Sequence, residues 1–157
     1  MLDQKIINEL IEYTQERVRE FSIFPFCAFV VKNGSIISKG FNNSTANFGI
    51  ATTHGEAVAI RKACQSLISY EDLAGCELYT SCEPCLACFD TCLLVGIKKI
   101  AYLASHEDEV AAPFFNNHTF HPTDFQKKHP KKIKLHKVSS NKIILDLFTE
   151  MRKKYDL

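Results

Sequence analysis

The sequence has no apolar run long enough to span a bilayer, so no transmembrane helix is expected. It has no excess of charge of one sign either. Lys and Arg number 19 against 18 Asp and Glu, a formal net charge of +1. A near-neutral chain has no global field to draw it onto nucleic acid or a membrane surface. The start, Met1-Leu2-Asp3-Gln4-Lys5, reads as no export signal and runs straight into a helical pattern. Nor is there an even set of cysteines. Seven of them without an export signal point to free thiols in a reducing, cytoplasmic compartment, not to a disulfide framework. Repeats, linkers and low-complexity stretches are absent. Residues 1–157 are therefore read as a single domain able to bury a full core.

Two short strings carry the chemistry: His54-Gly55-Glu56 and Ser81-Cys82-Glu83-Pro84-Cys85-Leu86-Ala87-Cys88. They offer one imidazole, a carboxylate two residues on, and two thiols at Cys-x-x-Cys spacing. Three N/S ligands leave one position of a tetrahedral zinc open for water, whereas a structural site more often has four. His54, Cys85 and Cys88 are therefore the candidate ligands, for one Zn2+ per chain. Glu56 is the candidate catalytic residue, placed to move protons beside the metal. The spacing of Ala57, Ile60, Ala63, Cys64, Leu67 and Ile68 predicts a helix over 56–69, with His54 and Glu56 at its start. Pro84 suits the first turn of a second helix. Cys85 and Cys88 then share a face there, where the helix dipole favours thiolate.

Each piece has a plainer reading. Thr53-His54-Gly55-Glu56 also fits a capping box, with Glu56 reaching back. A lone Cys-x-x-Cys also fits a redox pair. The conjunction favours catalytic zinc over both, and over structural zinc. Cys27, Cys64, Cys76, Cys82 and Cys92 are read as small buried hydrophobes.

Residues 3–21 read as an amphipathic helix with Ile6, Ile7, Leu10, Ile11 and Val18 inward. Strands are expected over 26–31 and 36–41, joined at Asn33-Gly34, a strong hairpin turn. After the His54 helix come a strand over 77–80, a helix over 85–95 and a strand over 99–103. The pattern fades from 105 to 129, which suggests short helices or loops near the site. A strand over 133–138 and a helix over 142–154 close the chain. One hairpin followed by alternating strands and helices implies an α/β fold: three layers, α/β/α, around a five-stranded mixed sheet.

His-x-Glu followed by Pro-Cys-x-x-Cys is the signature of the zinc nucleobase deaminases. The chain resembles the cytidine-deaminase-like superfamily, in its bacterial guanine deaminase and tRNA adenosine deaminase branch. The likeness extends to Pro25-Phe26, Val31-Lys32-Asn33-Gly34, Gly40-Phe41-Asn42-Asn43, Ala59-Ile60-Arg61-Lys62-Ala63-Cys64 and Leu78-Tyr79-Thr80. It weakens after Ser105. The resemblance implies hydrolytic deamination of a small molecule, a free amino-heterocycle such as guanine, in purine metabolism. Glu56 would carry a proton from water to the ring nitrogen and then to the departing ammonia. Asn42 would hydrogen-bond the base, having both donor and acceptor. Phe26 would lie beside the base plane. A turn residue for Asn42 and plain core packing for Phe26 remain open. The resemblance also implies a homodimer with an exchanged C-terminal segment, so that Tyr155 would cover the site of the other subunit; a frayed tail is the alternative.

Several positions depart from the guanine deaminase pattern. Gly55 stands where Ala is usual, and Phe26-Cys27 where Phe-Gly is usual. Phe89-Asp90-Thr91 replaces small residues, and Leu93-Leu94 replaces an aromatic. Phe114-Phe115-Asn116-Asn117 lacks the Asp that reads the guanine edge. Asn116 offers a carbonyl instead, and a carboxylate makes the stronger bond. Another base, a nucleoside, a pterin or a triazine is therefore an alternative substrate. Lys127, Lys128, Lys131, Lys132, Lys134 and Lys137 form a basic cluster that could contact phosphates, as tRNA adenosine deamination would need. Lysines on an edge strand also prevent aggregation, and nucleic acid is the less favoured partner. A zinc-bound domain without activity is disfavoured by the intact Glu56 and thiols.

Overall fold

Asp3 starts the first helix by accepting hydrogen bonds from the amides of Lys5 and Ile6, donors that a helix start leaves unpaired. The computed structural model describes residues 2–42, 51–67, 73–115, 121–139 and 141–156. Its helices are α1 (Gln4–Phe21), α2 (Gly55–Leu67), α3 (Leu86–Leu94), α4 (Pro122–Lys128) and α5 (Lys142–Tyr155). Its strands are β1 (Cys27–Lys32), β2 (Ser35–Phe41), β3 (Glu77–Cys82), β4 (Lys99–Ala104) and β5 (Lys134–Lys137).

Asn33 and Gly34 close the β1–β2 hairpin with φ of 51° and 75°, the left-handed region this turn requires. The strand order is β2-β1-β3-β4-β5. β1 runs antiparallel to β2 and β3, while β3, β4 and β5 run parallel. This is the expected five-stranded mixed sheet. Strand side chains alternate between its faces. Phe29, Val31, Tyr79 and Leu103 pack with α1 and α5 on one face. Ala28, Val30, Leu78 and Ile100 pack with α2 and α3 on the other. Three layers result.

The structure shifts several expected boundaries. β3 continues to Cys82, which pairs with Ala104. Ser81 supports that extension: its hydroxyl donates to the Pro25 carbonyl at 2.6 Å and accepts from the Cys27 amide at 2.8 Å. Pro84 stands before α3, not in its first turn, and Cys85 takes the N-cap position. The buried face of α2 holds Glu56, Val58, Ala59, Ile60 and Ala63. That leaves Ala57, Cys64 and Leu67 half-buried. Ile68 and Ser69 lie outside the described residues. All seven cysteines are free; Cys27, Cys76, Cys82 and Cys92 are buried as expected, and Cys64 is half-buried. The patternless stretch holds a 3-10 turn over Ala112–Phe115 and then α4.

Asn141 caps α5 through the amides of Ile143 and Ile144. The helix then buries Ile144, Leu147, Phe148 and Met151 against its own chain. No helix among the described residues is long and apolar enough to cross a membrane.

Candidate active site

The starts of α2 and α3 bring the two strings together. The His54 carbonyl accepts from the Val58 amide, and the Cys85 carbonyl from the Phe89 amide, each at 2.9 Å. These are the opening turns of the two helices, so His54, Cys85 and Cys88 all sit at helix starts. His54 Nδ1 lies 3.5 Å from the Sγ of Cys85 and 3.5 Å from the Sγ of Cys88. A tetrahedral zinc with Zn–N of ~2.0–2.1 Å and Zn–S of ~2.3 Å has an N···S edge of roughly 3.5–3.6 Å. The donor set therefore fits zinc in element and in spacing.

The thiols are prepared for a cation. A hydrogen bond from Cys88 is the main reason the Cys85 thiol is pulled down to about 4, with His54 helping. The same bond pushes Cys88 well up, and burial adds to the rise. A metal ion bound there would take both sulfurs as thiolates. Glu56 sits in the first turn of α2 with only 5 % of its surface exposed. Burial pushes its carboxyl up to about 7, and the negative charge of Cys85 adds to that, while His54 and a hydrogen bond from Cys88 oppose it. A carboxyl poised near neutrality suits a group that must both take and give a proton. A residue turned in onto the two cysteines fits that role better than a surface capping box.

Asn42 follows β2, is 2 % exposed, and donates its amide hydrogen to the Phe26 carbonyl at 3.1 Å. Gly55 packs on that same carbonyl. A Cβ at position 55 would lie 2.5 Å from the Phe26 oxygen and 3.1 Å from the Cys27 Cα. One peptide therefore gathers Asn42, Phe26 and the start of α2. The helix is too close to β1 there for a methyl group. Gly55→Ala should force backbone apart and cost about 1–3 kcal/mol, the usual range for overpacking. An unchanged thermal melting curve would count against this close approach.

The Phe26 ring is half-buried, 5.6 Å from Phe114 and 5.3 Å from Phe148 between ring centroids. Core packing and a wall for a ligand are both compatible with that position. Asn116 lies outside the described residues. Tyr155, expected to cover the site of the other subunit, packs within its own chain here. Its hydroxyl donates to the Ser22 carbonyl at 2.7 Å, and its ring lies tilted against Phe24 of the same chain, 5.3 Å between centroids. It reaches Phe26 through Phe24 and Phe114. The α5 residue against Phe26 is Phe148, which periodicity could mark as inward but not as a neighbour of the site.

The family described as "Cytidine and deoxycytidylate deaminase zinc-binding region" matches residues 1–104. The chain is 42% identical to guanine deaminase of Bacillus subtilis over 100 residues, 64% of this chain and 63% of the relative. It is 39% identical to a tRNA-specific adenosine deaminase of Aquifex aeolicus over 89 residues, 57% of this chain and 58% of the relative. Both alignments span less than two thirds of those relatives' lengths. The X-ray structure of guanine deaminase from Bacillus subtilis superposes with a TM-score of 0.65 and 31% identity, covering 98% of this chain and 95% of that one.

Proposed function

This chain belongs to the cytidine and deoxycytidylate deaminase family through its zinc-binding region, and from that premise we propose that it hydrolyses the exocyclic amino group of a free purine base, guanine, to xanthine and ammonia. The observation that carries the reading is the buried Glu56, which interacts with Cys85, His54 and Cys88 beside the set those three form. Zinc held by those three supplies the Lewis acid that makes water nucleophilic at neutral pH. Glu56 accepts the proton of the attacking water, gives it to the ring nitrogen next to the reacting carbon, and helps the amino group leave as ammonia. Asn42 pairs the purine edge through its amide. Phe26, backed by Phe114 and Phe148, forms the apolar wall. Guanine is favoured by the 42% identity to a guanine deaminase.

The test is ammonia release from guanine, adenine, cytosine, cytidine, a pterin and tRNA. Guanine should turn over fastest. Asn42→Ala should lower kcat/KM by about 10–100-fold, the size of one or two lost polar contacts. Turnover of another free base would keep the reaction and correct the substrate. The second reading, tRNA adenosine deamination, is favoured by the exposure of all six lysines of the Lys127–Lys137 cluster and by the Aquifex aeolicus relative. Turnover of tRNA alone would establish that reading and sink the free-base one.

We read the chain as one domain in a reducing, cytoplasmic compartment, consistent with seven free thiols. We also read it as a homodimer. Leu94 of α3 is 70% exposed, and a cleft of about 350 Å³ is lined by Ala57 and Arg61 of α2 and Ala87, Cys88 and Thr91 of α3. An interface would bury both. Light scattering should give twice the chain mass, and Leu94→Lys should shift it towards the monomer. A monomeric parent protein would end this reading.

A further inference from the structure

A second group of ligating side chains lies outside the zinc set. Glu83 follows β3, His106 follows β4, and His121 precedes α4. The Nδ1 atoms of His106 and His121 lie 3.3 Å apart. Glu83 Oε2 is 3.8 Å from His106 Nδ1 and accepts the His106 amide hydrogen at 3.1 Å. One ligating atom from each residue lies within 4.8 Å of the others.

Two imidazoles that share a proton beside a carboxylate would be the plainer account. Three features also fit a bound ion. Both rings turn the same nitrogen to one point. The 3.3 Å separation equals the edge of ~3.3–3.4 Å expected between two imidazoles on one tetrahedral ion at ~2.0–2.1 Å. The Glu83 and His106 side chains are only 6% and 5% exposed, while His121 is exposed and leaves a way in for an ion. Two histidines and one carboxylate with a position left open suit a borderline divalent ion such as zinc.

We propose that Glu83, His106 and His121 form a second divalent transition-metal site, distinct from the one made by His54, Cys85 and Cys88. Glu83 stands two residues before Cys85. An ion held here would tie the start of α4 to the turn that carries Cys85, making it a positioning site for that turn.

Cobalt separates the two sites by colour, because a thiolate-ligated Co2+ shows intense sulfur-to-metal absorption and an all-N/O site does not. The full-length protein, first loaded at one equivalent, is titrated with further Co2+ and followed by absorption and metal analysis. A second equivalent should bind without added sulfur-to-metal absorption. His121→Ala and Glu83→Gln should each weaken it by more than the ~10–100-fold typical for removing an outer-shell partner. Both should keep the first equivalent and its sulfur bands. Cys88→Ala should keep the second site. Each of three outcomes would overturn the proposal: a single equivalent in the parent protein, unchanged second binding in His121→Ala, or loss of both equivalents together in either variant. His121 is exposed, so its truncation leaves the core intact.

Discussion

Glu56→Ala is expected to leave a folded, zinc-loaded protein that no longer deaminates. Proton transfer by a positioned group contributes roughly 10²–10⁴-fold. Glu56 is asked to act at water, at the ring nitrogen and at the departing ammonia, so kcat should fall by at least ~10⁴-fold. The fold should survive, because the side chain is a costly buried acid whose carboxyl burial pushes up to about 7. Removing it leaves the apolar packing of Val58, Ala59 and Ile60 intact. Glu56→Gln is the sharper version, since it keeps the shape and removes the proton. The measurement is ammonia release by variants whose zinc content and melting temperature match the parent. Turnover within a few-fold of the parent would reduce Glu56 to a helix-start residue.

Cys88→Ala is expected to lose zinc from the catalytic set, and activity with it. Metal affinity there depends on both thiolates, so binding releases whatever protons the two thiols hold. With one sulfur gone, His54 and Cys85 alone cannot close a three-ligand site. After exchange against a chelator, metal analysis should find well under one equivalent at this set, and deamination should be lost. Cys92→Ala is the control. Cys92 lies one helical turn further on, is fully buried, and has a thiol pushed up by that burial. It should cost some stability and keep both zinc and turnover. Full zinc retention in Cys88→Ala would refute the ligand assignment.

The site was legible where its chemistry is local. His54 and Glu56 are two residues apart, and Cys85 and Cys88 three. Each pair lies at a helix start, and short spacing with helical periodicity states that directly. The strand and helix series was legible for the same reason, down to the Asn33-Gly34 turn. Errors came where local pattern met a neighbour. Periodicity placed Ala57 and Cys64 inward, whereas α2 packs so close on β1 and β2 that its buried face turns towards Ala59 and Ala63. At Gly40 a Cβ would lie 2.1 Å from the Gly55 carbonyl oxygen, which shows how near the two elements run.

Sequence alone marked the candidate ligands, the candidate proton carrier, the order of strands and helices and the family resemblance, because side-chain chemistry and short-range spacing encode them. Tertiary structure decided which distant residues share a point. It joined Asn42, Phe26 and Gly55 at one peptide. It set Phe148 against Phe26 by folding α5 onto its own chain. It also drew Glu83, His106 and His121 together from 23 and 15 residues apart. The physical reason is the sheet. Placing β3 beside β4 and β4 beside β5 brings the segments that follow the strands side by side, and no periodicity within one segment records its neighbour.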